Sequence, residues 1–417
     1  MLLSYLNRNF KIILLFSILL IVFYRSPYIF LNGRFIAEEG QFFFKNSFLN
    51  GPFVGLTQIM WSSPYINFWA NISSVVASFL PLDYAPLGTV YMAFIVQLYL
   101  FIFIIFGESI LVVNKKDKII FSLLVLIAPP MVSNVWLNTL TSQVYFTILT
   151  ILIFYQKDIK NDLLSKLSPF VLLISGLTSM LPCVLLPFFY FRYLKNKSKF
   201  NLLNFVSLLV PTILQSILFC YVKINNLEIF TDGPRYILSF EKIISYSYNV
   251  IVKSFLGRDL TQSLYYNFFD LINLPILLFF LSLFILIFVK ISYKKIREDK
   301  ILGILFFFFI IQSVLAIYAA KFESVQGRYA VVPGILLLFV TYRTYQVTDK
   351  WSKNLCAILI FLSLLTGAYE FKTNNIYSHF LICRNCPEWK NEVKKWRQDN
   401  SYNIKIWDYP RKFMTLN

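Results

Sequence analysis

The sequence has little charge and a single histidine, and both shortages exclude common classes of protein. Only 14% of its 417 residues are charged and 58% are hydrophobic, against about 25% charged residues in an ordinary soluble domain. One water-soluble core cannot bury that much apolar surface, so the bilayer is expected to be the solvent. With His379 alone, and no HExxH, Walker A or GxGxxG pattern, metalloprotease, ATPase and dinucleotide-binding activities are excluded.

The chain is nonetheless strongly basic, with 39 Lys and Arg against 21 Asp and Glu. In a soluble protein this excess would indicate a nucleic-acid partner, but the basic residues cluster in short segments between apolar runs. By the positive-inside rule these segments face the cytoplasm, and no nucleic acid is expected. The clusters are Lys115, Lys116 and Lys118; Lys157, Lys160 and Lys166; Arg192, Lys195, Lys197 and Lys199; and Lys290, Lys294, Lys295, Arg297 and Lys300.

The apolar runs between these clusters predict an all-α polytopic membrane protein with about nine transmembrane helices. They lie near 12–30, 87–113, 119–136, 143–156, 200–223, 270–290, 301–320, 329–345 and 354–371. The first run is too long for a signal peptide and no small-x-small cleavage site follows it, so it is interpreted as an uncleaved first span. The distribution of basic residues then predicts a cytoplasmic N-terminus. External loops are then expected at about 31–86 and 224–269. An external tail, 372–417, follows the membrane domain, 1–371.

One segment, about 167–193, does not fit this pattern. Lys166 and Arg192 both belong to predicted cytoplasmic clusters, yet two spans between them would need about 40 residues. The stretch from Gly176 to Pro182 breaks the apolar run and predicts a re-entrant hairpin, whose non-helical backbone is buried in protein or lines a wet cavity. The alternative is one tilted span with a proline kink, which would invert every later loop against the distribution of charge.

Two further stretches in predicted external segments have distinctive patterns. Tyr65–Phe79 is amphipathic and aromatic, as in helices that lie flat at the headgroup level. Polar side chains from Asn134 to Gln143 are suited to lining a pocket beside an external turn.

Glu38 and Glu39 are the sharpest polar feature, because they follow the first span within an apolar and aromatic stretch. Adjacent like charges in a poor solvent raise the pKa of one carboxyl unless a cation compensates, and a general base needs that environment. The alternative is a solvated pair balanced by Arg34 and Lys45. Spacing alone leaves both interpretations open.

Arg328 begins the run at 329–345 at its predicted external end. An arginine at that depth binds a lipid phosphate bidentately or anchors the helix at the interface, and both roles remain open. Cys383 and Cys386 lie in the predicted external tail, where an oxidising compartment favours a disulfide. A structural bridge is preferred to a redox centre, because no thioredoxin-like βαβ pattern surrounds the pair. Cys183, Cys220 and Cys356 lie in apolar runs and are expected to be core residues.

This combination of features resembles the GT-C class of glycosyltransferases, which use polyprenyl-phosphate sugars. Within that class, nine spans, a re-entrant loop and an external tail are similar to the phage-encoded serotype-converting O-antigen glucosyltransferases of Shigella. The topological resemblance covers the whole chain. In sequence it rests on Ala37-Glu-Glu-Gly40, Gln326-Gly-Arg-Tyr329 and the Trp- and Lys-rich tail. Class members commonly have an Asp in the acidic pair, whereas this chain has two Glu, so the resemblance does not say which one is the base.

The resemblance implies transfer of glucose from undecaprenyl-phosphate glucose to lipid-linked O-antigen on the periplasmic side of a bacterial inner membrane. Helper proteins would make and flip the donor. Glu38 or Glu39 is then the base, and Arg328 stabilises the phosphate leaving group with help from Lys321 or Arg34. The tail would hold the acceptor through Trp389, Lys394, Lys395 and Trp396. No cofactor is expected; some GT-C enzymes use a divalent metal, but the sequence contains no clear ligand cluster.

Two other classes remain in competition with this interpretation. A transporter or flippase of a lipid-linked sugar would use a broken hairpin such as 176–182, although no inverted repeat is visible. An O-antigen polymerase or acetyltransferase would act on the same lipid-linked substrate but catalyse a different reaction. The position of His379 disfavours histidine-based acyl transfer.

Overall fold

The structure is a computed structural model. It describes residues 9–61, 65–159, 162–225, 238–261, 293–320, 325, 327–371, 381, 386–407 and 412–416. The predicted span at 270–290 and two parts of the predicted loop at 224–269, residues 226–237 and 262–269, lie outside the described residues.

Helices account for nearly all regular structure in the described residues. They are α1 (Phe10–Arg25), α2 (Pro27–Asn32), α3 (Lys45–Thr57), α4 (Phe68–Ser78), α5 (Ala85–Phe106), α6 (Lys115–Ile127), α7 (Ser142–Phe154), α8 (Leu163–Thr178), α9 (Met180–Cys183), α10 (Leu186–Lys195), α11 (Lys199–Ile224), α12 (Phe240–Tyr246), α13 (Lys253–Leu256), α14 (Tyr293–Glu298), α15 (Lys300–Ala319), α16 (Arg328–Val347), α17 (Lys350–Glu370) and α18 (Trp389–Gln398). Two π-helices, Glu39–Phe44 and Ser247–Val252, precede α3 and α13. Strands β1 (Ile404–Lys405) and β2 (Phe413–Met414) pair antiparallel in the tail.

The chain forms two compact units. The first contains Met1–Asn114, Ser133–Ile229 and Asn374–Asn417, and the second contains Lys115–Val132 and Phe230–Thr373. In the first unit α8 packs along α11, and α4 packs between α3 and α5. In the second unit α16 packs between α15 and α17. The described part of the tail therefore belongs to the same unit as the first predicted external loop.

Within the described residues, five helical segments are long and apolar enough to cross a membrane. They are Leu82–Phe106, Lys199–Ile224, Lys300–Ala319, Arg328–Val347 and Lys350–Glu370. A further pair, Leu163–Thr178 with Met180–Lys195, passes the same test but is bent by 119°. These helices confirm the prediction of an all-α polytopic membrane protein.

Several helices end earlier than the predicted spans, each at a helix-breaking sequence. Helix α1 ends at Arg25, because Ser26 takes an extended conformation in front of Pro27. Helix α5 ends at Phe106, before Gly107. Helix α6 ends at Ile127, two residues before the first of two consecutive prolines. Hydropathy finds the apolar run, whereas these residues decide where the helix stops.

Close contact between α8 and α11 fixes the bend in the broken pair. A methyl group added at Gly176 would lie 2.5 Å from Cγ of Pro211 on α11. Beside this contact the fully buried Gln215 donates to the carbonyls of Gly176 and Leu177 at 3.0 and 3.2 Å. Its Oε1 accepts from the backbone N–H of Ile66 at 2.9 Å. Gln215 thus supplies partners to backbone that the bend removes from helical pairing.

Polar contacts of Asp117 and Arg343 lie near one end of α16 in the second unit. Asp117 is buried and accepts hydrogen bonds from Tyr342 Oη and Gln346 Nε2, both at 2.8 Å. Arg343 forms a 2.6 Å ion pair with Asp299, which also caps the N-terminus of α15. Helices α6, α15 and α16 are therefore tied together by polar contacts as well as by apolar packing.

Gly176→Val should destabilise the first unit, because the added methyl groups meet Pro211 and neither helix can move without losing the Gln215 contacts. We expect a loss of about 1–3 kcal/mol, seen as a lower midpoint of thermal unfolding in detergent. Phe170→Val is the matched control, since Phe170 lies on the same helix with 60% of its surface exposed. Equal midpoints for the two variants would contradict the tight α8–α11 contact.

Candidate active site

A strained turn presents the two adjacent carboxylates. Gly33 has a φ of +68°, and a Cβ at this position would lie 2.8 Å from the backbone nitrogen of Leu87. Only glycine fits here. Ala37 also adopts a positive φ, +44°, a left-handed conformation that costs a non-glycine residue about 1 kcal/mol. The turn places Glu38 and Glu39 at the start of the π-helix, and both π-helices and strained residues are frequent at functional sites.

Glu39 is held in a fully buried position, with 1% of its surface exposed. Its Oε1 accepts hydrogen bonds from the backbone N–H of Thr139 at 3.2 Å and from the Thr139 hydroxyl. Its Oε2 accepts from the backbone N–H of Ile36 at 3.3 Å. Burial raises the pKa of Glu39, while the Thr139 hydrogen bonds and the positive charge of Arg34 oppose that rise. Both carboxylate oxygens are therefore engaged by the protein itself.

Arg34 is equally buried and joins the turn to a distant segment of the chain. Its guanidinium donates to the carbonyl oxygens of Trp136 at 2.9 Å and Leu137 at 3.2 Å. It also lies over the ring of Trp407, 5.3 Å from the centroid. Burial lowers the pKa of Arg34 to about 10, against the opposing effect of Glu39. Arg34 thus remains cationic at neutral pH and balances the buried carboxylate.

The segment that meets Arg34 and Glu39 has local hydrogen bonds of its own. Leu137 has a φ of +48°, the second non-glycine residue with a positive φ among those described. Asn138 donates to the carbonyl of Asn134 at 3.0 Å and accepts from the N–H of Leu140 at 3.0 Å. Of the polar run that was predicted to line a pocket, Thr139 is thus the member that contacts an acidic residue. The Asn138 side chain instead bonds to the backbone of the run.

Glu38 lies in a different environment from its neighbour. Its side chain is 43% exposed, and its Oε1 lies 3.7 Å from Nζ of Lys412. At that distance and exposure the ion pair contributes little stability. Of the two carboxylates, Glu38 is the one that a molecule outside the protein can reach.

The tail covers the turn through backbone and side-chain contacts. The N–H of Trp407 donates to the carbonyl of Phe35 at 3.1 Å. Gln41 donates to the carbonyl of Phe413 at 2.8 Å, and Lys45 contacts the Thr415 hydroxyl at 2.5 Å. Residues more than 350 positions apart therefore build one surface around Glu38.

The predicted acceptor-binding residues of the tail differ in accessibility. Trp389 is buried, donates to the carbonyl of Leu82 at 2.6 Å and packs edge-to-face on Phe35. Lys395 is paired with Glu392 at 2.7 Å. Trp396 packs at the edge of the tail core, and Lys394 is exposed. Trp389 thus anchors the tail, and the acceptor role of these residues stays a prediction.

Of the remaining predicted site residues, the structure describes Arg328 and Cys386 but not Lys321 and Cys383. Arg328 is the first residue of α16, in the second unit, and its guanidinium lies 5.5 Å from the Tyr329 ring centroid. Lys321 lies outside the described residues. Cys386 is disulfide-bonded, and Cys383, its predicted partner, also lies outside them. Within the described ranges no group of three or more His, Cys, Asp or Glu side chains is arranged to hold a metal ion.

Sequence reasoning found Arg34, Glu38 and Glu39 but missed the roles of Trp136, Leu137 and Lys412. Two of these supply backbone carbonyls, which every residue carries, so side-chain patterns give no signal for them. Comparisons with family models, curated proteins and solved structures found no match to the chain. The resemblance to the GT-C class therefore rests on the sequence features alone.

Thr139→Val should destabilise the first unit, because it removes the hydroxyl that donates to a buried carboxylate while keeping the shape of the side chain. Hydrogen bonds to charged groups contribute about 1.5–3 kcal/mol. Thr139→Ser keeps the hydroxyl and should behave nearly as the wild type. Thermal unfolding in detergent compares the three proteins, and identical midpoints for the two variants would refute the proposed contact.

The contribution of Glu39 to stability should depend on pH. Since the pKa of Glu39 is raised in the folded protein, folding favours the protonated form, and stability falls as the pH rises through the folded pKa. Glu39→Gln cannot ionise and should remove this part of the pH dependence. We expect the difference in unfolding midpoint, wild type minus variant, to decrease from acidic to neutral pH. A constant difference would show that Glu39 does not titrate in this range.

Proposed function

We propose that the protein is a GT-C-type glucosyltransferase that moves glucose from undecaprenyl-phosphate glucose to a sugar of lipid-linked O-antigen, and so modifies lipopolysaccharide. The observation that carries the proposal is the division of the acidic pair. Glu38 is accessible on a surface built by the first loop and the tail, and Glu39 is buried behind it. The Glu38 side chain is partly exposed on the surface of a membrane protein, next to a turn that is held by hydrogen bonds. A carboxylate in this position is suited to abstract a proton from a sugar hydroxyl.

In the proposed reaction Glu38 is the general base. An acceptor hydroxyl oxygen attacks C1 of the donor glucose as its proton passes to the Glu38 carboxylate. The bond between C1 and the phosphate oxygen breaks, and undecaprenyl phosphate leaves with the electron pair. Glu39 acts as a positioning residue, because Thr139 and Ile36 occupy both of its oxygens.

The developing charge on the phosphate requires cations. Arg328 and Lys321 are proposed to contact the leaving phosphate, since an arginine guanidinium matches two phosphate oxygens at once. Arg34 donates to two backbone carbonyls and contributes its positive charge from a buried position. Fixed charges in a site that excludes water stabilise a transition state more strongly than they would in water.

The proposal includes a location. The protein would span the inner membrane about nine times, with a cytoplasmic N-terminus, a re-entrant hairpin at 167–193 and a periplasmic tail, so that Glu38 faces the compartment where O-antigen is completed. The excess of basic residues in the predicted cytoplasmic segments supports this orientation. Helper proteins that make and flip the donor are its proposed partners.

A transporter of a lipid-linked sugar is the second candidate, and one observation favours it. The helices Leu163–Thr178 and Met180–Lys195 are bent by 119° at their junction, and broken helices of this kind form substrate sites in transporters. In this chain, however, the backbone at the bend is bonded to Gln215, which suits a structural joint.

Glu38→Gln should abolish transfer without unfolding the protein, because the amide cannot accept the proton. The assay follows radiolabelled glucose from undecaprenyl-phosphate glucose to lipid-linked O-antigen with purified protein in detergent. We expect a loss of about 10²–10⁴-fold for Glu38→Gln, and no loss for Glu241→Gln, an exposed carboxylate of the second unit.

Each candidate function has a distinct outcome in this assay. If Glu38→Gln keeps full activity and Glu39→Gln loses activity, the general base is Glu39 and not Glu38. A wild-type protein that forms no product in detergent, yet moves the lipid-linked sugar across sealed vesicles, would be a transporter.

A further inference from the structure

The first predicted external loop contains an unusually long stretch without charge. From Asn46 to Leu82 the sequence has no Asp, Glu, Lys, Arg or His, and the nearest charges are Lys45 and Asp83. Loops that cross a protein surface in water are normally rich in polar and charged residues, since they remain solvated. A stretch of this length without charge points to an apolar surrounding.

Helix α3, within this stretch, exposes almost its whole apolar side. The exposed fractions are 36% for Phe48, 39% for Leu49, 78% for Phe53, 40% for Val54 and 39% for Leu56. The helix bends at Gly51, which has a φ of +84° and no atom within 4 Å of the position where a Cβ would lie. The bend therefore projects away from the rest of the unit.

The buried face of α3 is small and polar. The Ser47 hydroxyl is hydrogen-bonded to the Ser74 hydroxyl at 2.7 Å, and Gln58 donates to the carbonyl of Gly55 at 3.0 Å. Gly55 allows close packing, since a Cβ there would lie 2.7 Å from Val75. The polar side chains of Ser47 and Gln58 face inward and the large apolar side chains face outward, which is the reverse of a helix that packs on a core in water.

Aromatic side chains of this stretch lie close to the ends of two apolar spans. The ring centroids of Trp61, just after α3, and Tyr221, at the end of α11, lie 6.0 Å apart. Phe79 is 73% exposed and Tyr84 is 47% exposed next to the start of α5. Tryptophan and tyrosine, here Trp61, Tyr84 and Tyr221, are enriched at the boundary between bilayer and water.

We infer that α3 is embedded in the bilayer leaflet at which α5 begins and α11 ends, with Phe48, Leu49, Phe53, Val54 and Leu56 in contact with lipid. Two apolar spans of the same unit also expose apolar side chains, since Ile95 of α5 is 50% exposed and Ile217 of α11 is 61% exposed. Lipid would cover the apolar side chains of α3 and of these spans alike, which favours lipid over a protein partner. The inference does not depend on the proposed enzymatic activity.

Embedding α3 sets the depth of the carboxylates, because the π-helix Glu39–Phe44 leads directly into it. Lys45, the first residue of α3, is then placed at the level of the lipid phosphates. Glu38, which precedes Lys45 in the chain, then lies just outside that level. A molecule attached to a lipid phosphate would therefore meet Glu38 without leaving the membrane.

A spin label at residue 53 tests this inference directly. The protein carries Phe53→Cys in a background with Cys183, Cys220 and Cys356 replaced by alanine, and is reconstituted in phosphatidylethanolamine–phosphatidylglycerol vesicles. Collision rates of the label with oxygen, which partitions into lipid, and with a water-soluble nickel chelate are then measured. Phe413→Cys is the matched control, since Phe413 is a phenylalanine of the tail with 52% of its surface exposed.

We expect the ratio of oxygen to nickel collisions to be several-fold higher at residue 53 than at residue 413. Equal ratios would place α3 in water, and low collision rates with both reagents would show that protein covers it; either result overturns the inference. A second label at Leu56→Cys should reproduce the result of Phe53→Cys if one variant fails to fold. Size-exclusion chromatography of each labelled protein confirms that it is folded.

Discussion

Removing a charge from water is among the most costly steps in folding, and it is tolerated only where the protein replaces the lost hydration. In this protein the first unit replaces the hydration of two buried groups, the Glu39 carboxylate and the Arg34 guanidinium. The backbone of the turn and of the segment at 136–139 supplies donors to Glu39 and acceptors to Arg34. Much of the surrounding geometry follows from this requirement. The left-handed residues Ala37 and Leu137 lie next to the groups that make these contacts.

The same requirement explains features far from the acidic pair. At the bend between α8 and α9 the backbone leaves its helical pairing in an apolar surrounding, and the buried Gln215 provides replacement partners. In α3 the polar groups Ser47 and Gln58 face inward, where they find partners, and the apolar side chains face outward. Both arrangements are favourable only where the outer medium is itself apolar.

The sequence was sufficient to predict features that depend on composition along a continuous segment. Uninterrupted apolar runs predicted the helices at Lys199–Ile224, Lys300–Ala319 and Arg328–Val347 closely, because a span is defined by its own length and hydropathy. Helix ends at Ser26 and Gly107 were less well predicted, since local backbone preference decides them. The contact of Thr139 with Glu39 has no local pattern, because it joins residues 100 positions apart. Likewise, hydropathy did not distinguish α3, whose apolar side chains are exposed, from a loop in water.

The pairing of Trp407 with Phe35 also has a consequence for biosynthesis. The first loop is translated before most of the membrane helices, but the segment that covers it is translated after them. Until that segment arrives, the aromatic side chains that it covers remain without their final neighbours, and contacts of such high sequence separation form slowly. A chain interrupted before residue 389 would insert its helices yet leave this surface incomplete. The order of synthesis therefore makes completion of the acidic surface a late step, after most of the membrane helices have been made.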